Sequence, residues 1–258
     1  MAGWVLLGFP LITAVIGPFL AGSTASEAGA LSSPSDAHPL GTDELGRDVL
    51  ALVLSGGTSI VTMTGAALLL SYLTGIPLAL LTVGGRQWTN RLLLRLLDSL
   101  LALPGLLVLL VLAATGWRGM GTLIVAIAAL QLPAVVRIAR GAALAPECST
   151  ALEAMTMQGE RLWRIRLIYL GRSILGPVAV DAGSRVNLVL YLMASANFLG
   201  LGLSSAAPDW AVLIELNKNA LFTQPWAVTA PAMSLVSLCT GVNLVVDRAL
   251  ARRRTVRT

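Results

Sequence analysis

Residues 60–83 read IVTMTGAALLLSYLTGIPLALLTV, a run of 24 positions without one Asp, Glu, Lys or Arg. A helix crossing a bilayer needs about 20 mostly apolar residues, and a soluble fold has no means of covering so long an apolar run on every side. Five further segments have similar character on either side of it: 4–20, 99–115, 120–136, 174–196 and 227–246. The whole chain agrees, with 56% of its 258 residues hydrophobic and 12% charged and a mean hydropathy of +0.80. These features describe an all-α membrane protein with six transmembrane helices. Segment 4–20 has no basic residue before it, and Ala21-Gly22-Ser23 is a poor cleavage site, so it reads as a span rather than a secretory leader. Gly116-Trp117-Arg118-Gly119 makes a tight turn between the third and fourth spans.

The basic residues orient the bundle. With the N-terminus inside, the cytoplasmic loops and tail hold Arg86, Arg91, Arg95, Arg137, Arg140, Arg161, Arg164, Arg166 and Arg172, then Arg248, Arg252, Arg253, Arg254 and Arg257. Arg47, Arg118 and Lys218 fall outside. The bias of Lys and Arg toward cytoplasmic loops therefore places both termini in the cytoplasm. The net charge of +5 is spread between apolar runs rather than gathered on one patch, so nucleic acid is not an expected partner. Basic tail residues 252–254 read as a topology anchor near anionic lipid. Cys148 and Cys239 are isolated, and His38 is the sole histidine. A His-rich metal cage is excluded on these grounds, and neither a disulfide framework nor a His-centred catalytic triad is expected. No catalytic residue and no metal site are assigned.

Three regions follow: 1–59, with the first span and an external loop; 60–247, the transmembrane domain with a cytoplasmic loop at 141–172; and the basic tail 248–258. Within the cytoplasmic loop, 151–158 are mostly good helix formers and Gly159 is a natural helix stop. A short helix held beneath a bundle either docks into another protein's groove or rests on lipid headgroups.

The loop's Glu153-Ala154, with Gly159 six residues after the Glu, resembles the EAA loop of ABC-importer permeases. External residues 38–48, HPLGTDELGRD, are more specific. Their Gly41, Thr42, Asp43, Gly46, Arg47 and Asp48 resemble the Gly-Thr-Asp-x-x-Gly-Arg-Asp signature of C-type permeases of dipeptide, oligopeptide and nickel importers. Phe198-Leu199-Gly200-Leu201-Gly202-Leu203, followed by Pro208 and Trp210, is similar to that family's segment after the fifth span, and Asp98 with Leu103-Pro104 to the start of its third. The chain departs from the family at Gly171-Arg172, where Leu-Pro is usual, and at Met193, where peptide-type members often carry an acid. It also has a short N-terminus before the first span.

The resemblance implies the type I ABC-importer permease fold in the inner membrane. It implies a second homologous permease forming a heterodimer, two ATPase subunits below and an extracytoplasmic substrate-binding protein above. Glu153, Ala154 and Gly159 would form the coupling helix. The chain has no Gly-x-x-x-x-Gly-Lys-Ser/Thr loop, so ATP and Mg are expected on the partner ATPases and no cofactor in this chain, which is itself not an enzyme. The cargo is a di- or oligopeptide or a nickel or other metal chelate: Met193 and Phe222-Thr223-Gln224-Pro225 look more like nickel-type members, and peptides are slightly favoured because such systems are common.

The fifth span carries Asp181 and Arg185, each costing about 2.5–3.5 kcal/mol at a membrane helix centre. With Ser184, Asn187, Tyr191 and Ser195 they make a polar face that either lines the translocation path or meets the partner permease, or else is a satisfied ion pair between helices. An alternative function, an ion-coupled secondary transporter working without an ATPase, would use this pair. His38 reads as part of the external turn. Asp43, Arg47 and Asp48 read as capping and charge pairing ahead of a helix at 49–54, and Trp210 and Trp226 as interfacial anchors.

Overall fold

The computed structural model describes residues 2–21, 29–83, 87–145, 148, 150, 155–204 and 207–255. Its helices in chain order are α1 Ala2–Leu20, α2 Val49–Thr82, α3 Gln87–Leu101, α4 Gly105–Ala114 and α5 Met120–Ala143. A stretch of short helices follows as α6 Leu162–Arg164, a π-helical segment Ile165–Leu170 and α7 Gly171–Ser173. The chain then forms α8 Leu175–Phe198, α9 Trp210–Asn217 and α10 Trp226–Thr255. Among the described residues the one β feature is an isolated antiparallel bridge between Thr42 and Asp48.

Val49–Thr82, Met120–Ala143 and Trp226–Arg248 are each long and apolar enough to cross a membrane. Helix α2 spans 34 residues, about 51 Å at 1.5 Å per residue, so it extends well beyond a hydrocarbon core of about 30 Å. Its first turns, at 49–59, lie in the region expected to belong to the external loop. The third expected span, 99–115, is interrupted: α3 and α4 meet at a bend of 83°. Pro104 is the cause, because it N-caps α4 from an extended conformation and disfavours helix in the residue before it. Helix α8 has 24 residues, but its polar side chains dilute its apolarity. The expected loop 141–172 starts inside α5 and ends in helix, with Gly171 in the right-handed region at φ −55°; no turn forms at Gly171-Arg172. The boundaries drawn at 59/60 and 247/248 both fall inside helices, α2 and α10.

Helix α1 shows how the bundle handles breaks in a helix backbone. Pro10 and Pro18 lack the N–H that would bond the carbonyls four residues back, on Leu6 and Ala14. Neighbouring helices supply the missing donors. Ser237 of α10 donates its hydroxyl to Leu6 O at 2.8 Å, and Thr58 of α2 donates to Ala14 O. This is the way prolines are accommodated where no water is present. Glycines bring the helices close enough: a Cβ at Gly241 would lie 2.5 Å from Leu7 N, and one at Gly17 would overlap the Leu54 carbonyl.

Two large apolar clusters, and a small third one at Val49, Val53 and Ala227, fill the interior. One joins Leu52, Ile60, Met63, Ile127, Val189, Met193 and Trp210. The other joins Leu80, Val83, Leu97, Val136, Leu170, Ile174 and Val178. Trp210 is 0% exposed and donates its indole N–H to Val53 O at 2.8 Å, so it is a core residue and not the interfacial anchor expected. Its ring packs on two glycines of α2, where added Cβ atoms would come within 2.8 Å at Gly56 and 2.6 Å at Gly57. Trp226 is 46% exposed at the start of α10.

Candidate functional site

The signature at 41–48 folds as a closed knot around one carboxylate. Asp43 Oδ1 accepts from the amides of Leu45 at 2.9 Å and Arg47 at 2.8 Å. Its Oδ2 accepts from Arg47 Nε at 2.8 Å and pairs with Nη2 at 2.7 Å. Asp43 and Arg47 are 1% and 7% exposed, so this is a desolvated ion pair whose remaining lone pairs are used by backbone. Gly41 and Gly46 adopt φ of +74° and +73°, a region costly for residues with a Cβ. Thr42 is buried; its hydroxyl accepts from Ser32 N and donates to Gly29 O. Asp48 caps α2 by accepting from Leu50 N at 2.9 Å. His38 sits in a turn closed by Ser35, with its Nδ1 3.8 Å from Asp48 Oδ2. Among the described residues no cluster of His, Cys, Asp or Glu has metal-binding geometry.

Gln224 and Asn217 dock this knot on the rest of the chain. Gln224 Nε2 donates to Ser32 O at 3.1 Å and Leu40 O at 2.9 Å, and Asn217 Oδ1 accepts from Glu44 N at 3.0 Å. Both are buried. The signature is thus packed against the end of α9 and the segment before α10, leaving Thr42, Asp43 and Arg47 buried.

A second polar cluster lies inside the bundle. Arg185 Nε donates to Asp181 Oδ2 at 2.6 Å, one α8 turn apart. Tyr72 of α2 donates to the same oxygen at 2.6 Å, and Arg185 Nη1 donates to Gln131 of α5 at 3.3 Å. Three helices therefore meet at one ion pair whose side chains are 14% and 11% exposed. Tyr72 and Gln131 were legible in principle, as polar residues inside charge-free apolar runs. Asn187 leaves this cluster and donates to Asn243 of α10 at 2.6 Å. The expected single polar face of α8 is divided: Asp181 and Arg185 point inward, while Ser184, Leu188 and Tyr191 are exposed.

A third site is buried outside the spans. Asp209 caps α9, its Oδ1 accepting from Ala211 N at 3.0 Å and Val212 N at 3.4 Å. Its Oδ2 and the nearby Asn197 Oδ1 have no hydrogen-bond partner. Burial pushes the Asp209 carboxyl up to about 6, against the opposing pull of the Ala211 and Val212 amides and the Asn197 side chain.

In the loop between α5 and α6, Gly159 has φ +75° and ends the helical residues 155–157. This is the left-handed helix stop expected of it. Glu153 and Ala154 lie outside the described residues.

Residues 67–255 match the family described as "Binding-protein-dependent transport system inner membrane component". The glutathione transport system permease protein GsiD of Pectobacterium atrosepticum is 29% identical over 215 residues, covering 83% of this chain and 71% of that protein. The probable D,D-dipeptide transport system permease protein DdpC of Escherichia coli is 30% identical over 225 residues, covering 84% and 73%. The di/tripeptide transport system permease protein DppC of Pseudomonas aeruginosa is 28% identical over 208 residues, covering 81% and 69%.

Proposed function

The chain belongs to the family of binding-protein-dependent transport system inner membrane components, and from that premise we propose that it is the C-type permease subunit of an ABC importer of di- or oligopeptides. Being an ABC-importer permease of the inner membrane follows from the family; the peptide cargo is our reading, supported by relatives named for dipeptides, di/tripeptides and glutathione. The working unit is a heterodimer with a second permease, energised by two ATPases that bind ATP and Mg on the cytoplasmic side. An extracytoplasmic binding protein loads it. Both termini are cytoplasmic, six segments cross or enter the membrane, and Glu153, Ala154 and Gly159 carry ATPase motion into the spans.

One observation carries the mechanistic part. The Tyr72–Asp181–Arg185–Gln131 cluster ties α2, α5 and α8 together inside the bundle, while Ser184 and Tyr191 on α8 face outward. A transmembrane helix pays for exposed polar groups unless they meet water or protein. We assign Ser184 and Tyr191 to the path or the partner-permease interface, with the ion pair beside them as the joint on which the helices move together. Such a joint moves only if ATP-bound and ATP-free partners favour different states of the bundle.

Proteoliposomes containing the assembled importer test this reading. Uptake of labelled dipeptide is expected with ATP inside and binding protein outside, and none with this chain alone. Uptake by the isolated chain would establish the ion-coupled alternative. Competition by a nickel chelate but by no peptide would replace the cargo.

A further inference from the structure

Helix α3 has no assigned role, and its position is unusual for a segment between two spans. Asn90 donates from Nδ2 to Thr82 O, the last residue of α2, at 2.6 Å. Eight residues later, Asp98 pairs with Arg137, less than two turns from the end of α5. Eight residues of helix cover about 12 Å, yet both anchors lie at the same end of the bundle. Helix α3 therefore lies along that end of the bundle and meets α4 at a bend of 83°.

Its faces are sharply divided. Leu97 is buried and Leu93 packs beside it on Leu80, Val83, Val136 and Ala139. On the other side Trp88, Leu92, Leu96 and Leu100 repeat every four residues and are 69%, 47%, 58% and 38% exposed. Arg91 and Arg95, both exposed, run along that stripe. With Asp98 engaged by Arg137, the helix presents apolar side chains flanked by positive charge, in the plane where headgroups lie. That combination is the mark of a helix sunk to the headgroup–acyl boundary of an anionic leaflet.

We propose that α3 is seated in the anionic lipid of the cytoplasmic leaflet, with Trp88, Leu92, Leu96 and Leu100 among the acyl chains and Arg91 and Arg95 on lipid phosphates. The seat holds the bend at Pro104 in place while the bundle moves. The assignment to the cytoplasmic leaflet rests on the orientation given under the proposed function; the lipid seat itself rests on the helix.

The test uses the complete importer in liposomes of phosphatidylcholine with or without phosphatidylglycerol. Cys148→Ser and Cys239→Ser remove the native thiols, and an environment-sensitive fluorophore is attached at Leu92→Cys or Leu96→Cys. Acyl-brominated lipid is expected to quench most of the signal and aqueous iodide little of it. Arg91→Gln with Arg95→Gln should abolish any strengthening of the bromolipid quenching by phosphatidylglycerol. Iodide quenching without bromolipid quenching overturns the proposal, as does crosslinking of these positions to the second permease in place of lipid quenching. Labelling of Leu92→Cys by an impermeant thiol reagent from the external side overturns the leaflet assignment through the orientation, and bromolipid quenching then still reports on the seat separately.

Discussion

Asp43 and Arg47 illustrate what desolvation does to a pair of charges. The carboxylate is 1% exposed and is satisfied by two backbone amides and one guanidinium. Removing the guanidinium leaves a buried charge without its counter-ion, which typically costs 3–5 kcal/mol. Arg47→Ala is therefore expected to lower the thermal midpoint of the purified protein sharply, whereas an exposed pair such as Lys218–Glu215 should matter by less than about 1 kcal/mol; paired melting curves for Arg47→Ala and Lys218→Ala check this. Asp209 obeys the opposite logic. Its folded-state value of about 6 lies above the ordinary 3.8, so the native state binds more protons than the unfolded chain between those values. Stability is then lost as pH rises through that window, by about 3 kcal/mol in full above it. Asp209→Asn keeps the cap on Ala211 and removes the buried titrating carboxyl. Relative to the parent, this variant should gain stability progressively from about pH 4 to 6 and hold the gain at pH 7.5. Melting curves of both proteins across that range, showing a constant difference instead, would refute the assignment.

At the scale of the element, α1 is held by two devices acting at the same places. Glycines permit close approach, and hydroxyls from α2 and α10 serve the carbonyls that Pro18 and Pro10 leave open. An unsatisfied buried carbonyl costs about 1–3 kcal/mol, and an overpacked contact typically costs 1–3 kcal/mol. Thr58→Val with Ser237→Ala, and separately Gly241→Ala, should each loosen α1, whereas Gly8→Ala meets nothing within 4 Å and should be silent. Protection of a cysteine placed at Leu7 from a thiol reagent reads the difference. None of this pairing was legible in the sequence, because a proline i−4 carbonyl and a serine more than two hundred residues away share no local pattern. The spans themselves were legible, since a bilayer imposes a length and an apolarity that residues 60–83, 120–136 and 227–246 display openly. The interruption at Pro104 was not, because 99–115 is apolar on both sides of the bend and composition does not register direction. Trp210 misled for a related reason: an indole near a membrane boundary has the same sequence context whether it faces lipid or packs on Gly56 and Gly57.

For the whole molecule, the decisive question is whether the Asp181–Arg185 joint is part of transport or only of folding. The sequence showed two charges one turn apart, but which side of α8 they faced depended on Tyr72 and Gln131, from helices α2 and α5. Arg185→Ala leaves Asp181 with Tyr72 as its remaining bond across helices, and by the cost of stranding a buried charge the variant is expected to lose folded, assembled importer rather than turnover per complex. Replacing both charges by apolar residues of similar size removes the stranded charge, a change that is often neutral or stabilising in other proteins. Asp181→Leu with Arg185→Met should accordingly recover assembly, measured by co-purification with the second permease and the ATPases. If the pair is the joint proposed here, the recovered complex still hydrolyses ATP but transports less per ATP, because helices α2, α5 and α8 no longer shift as one. Unchanged transport per ATP in that double variant would assign the cluster to folding alone and leave Ser184 and Tyr191, the outward residues of the same helix, as the part of α8 that meets cargo or partner.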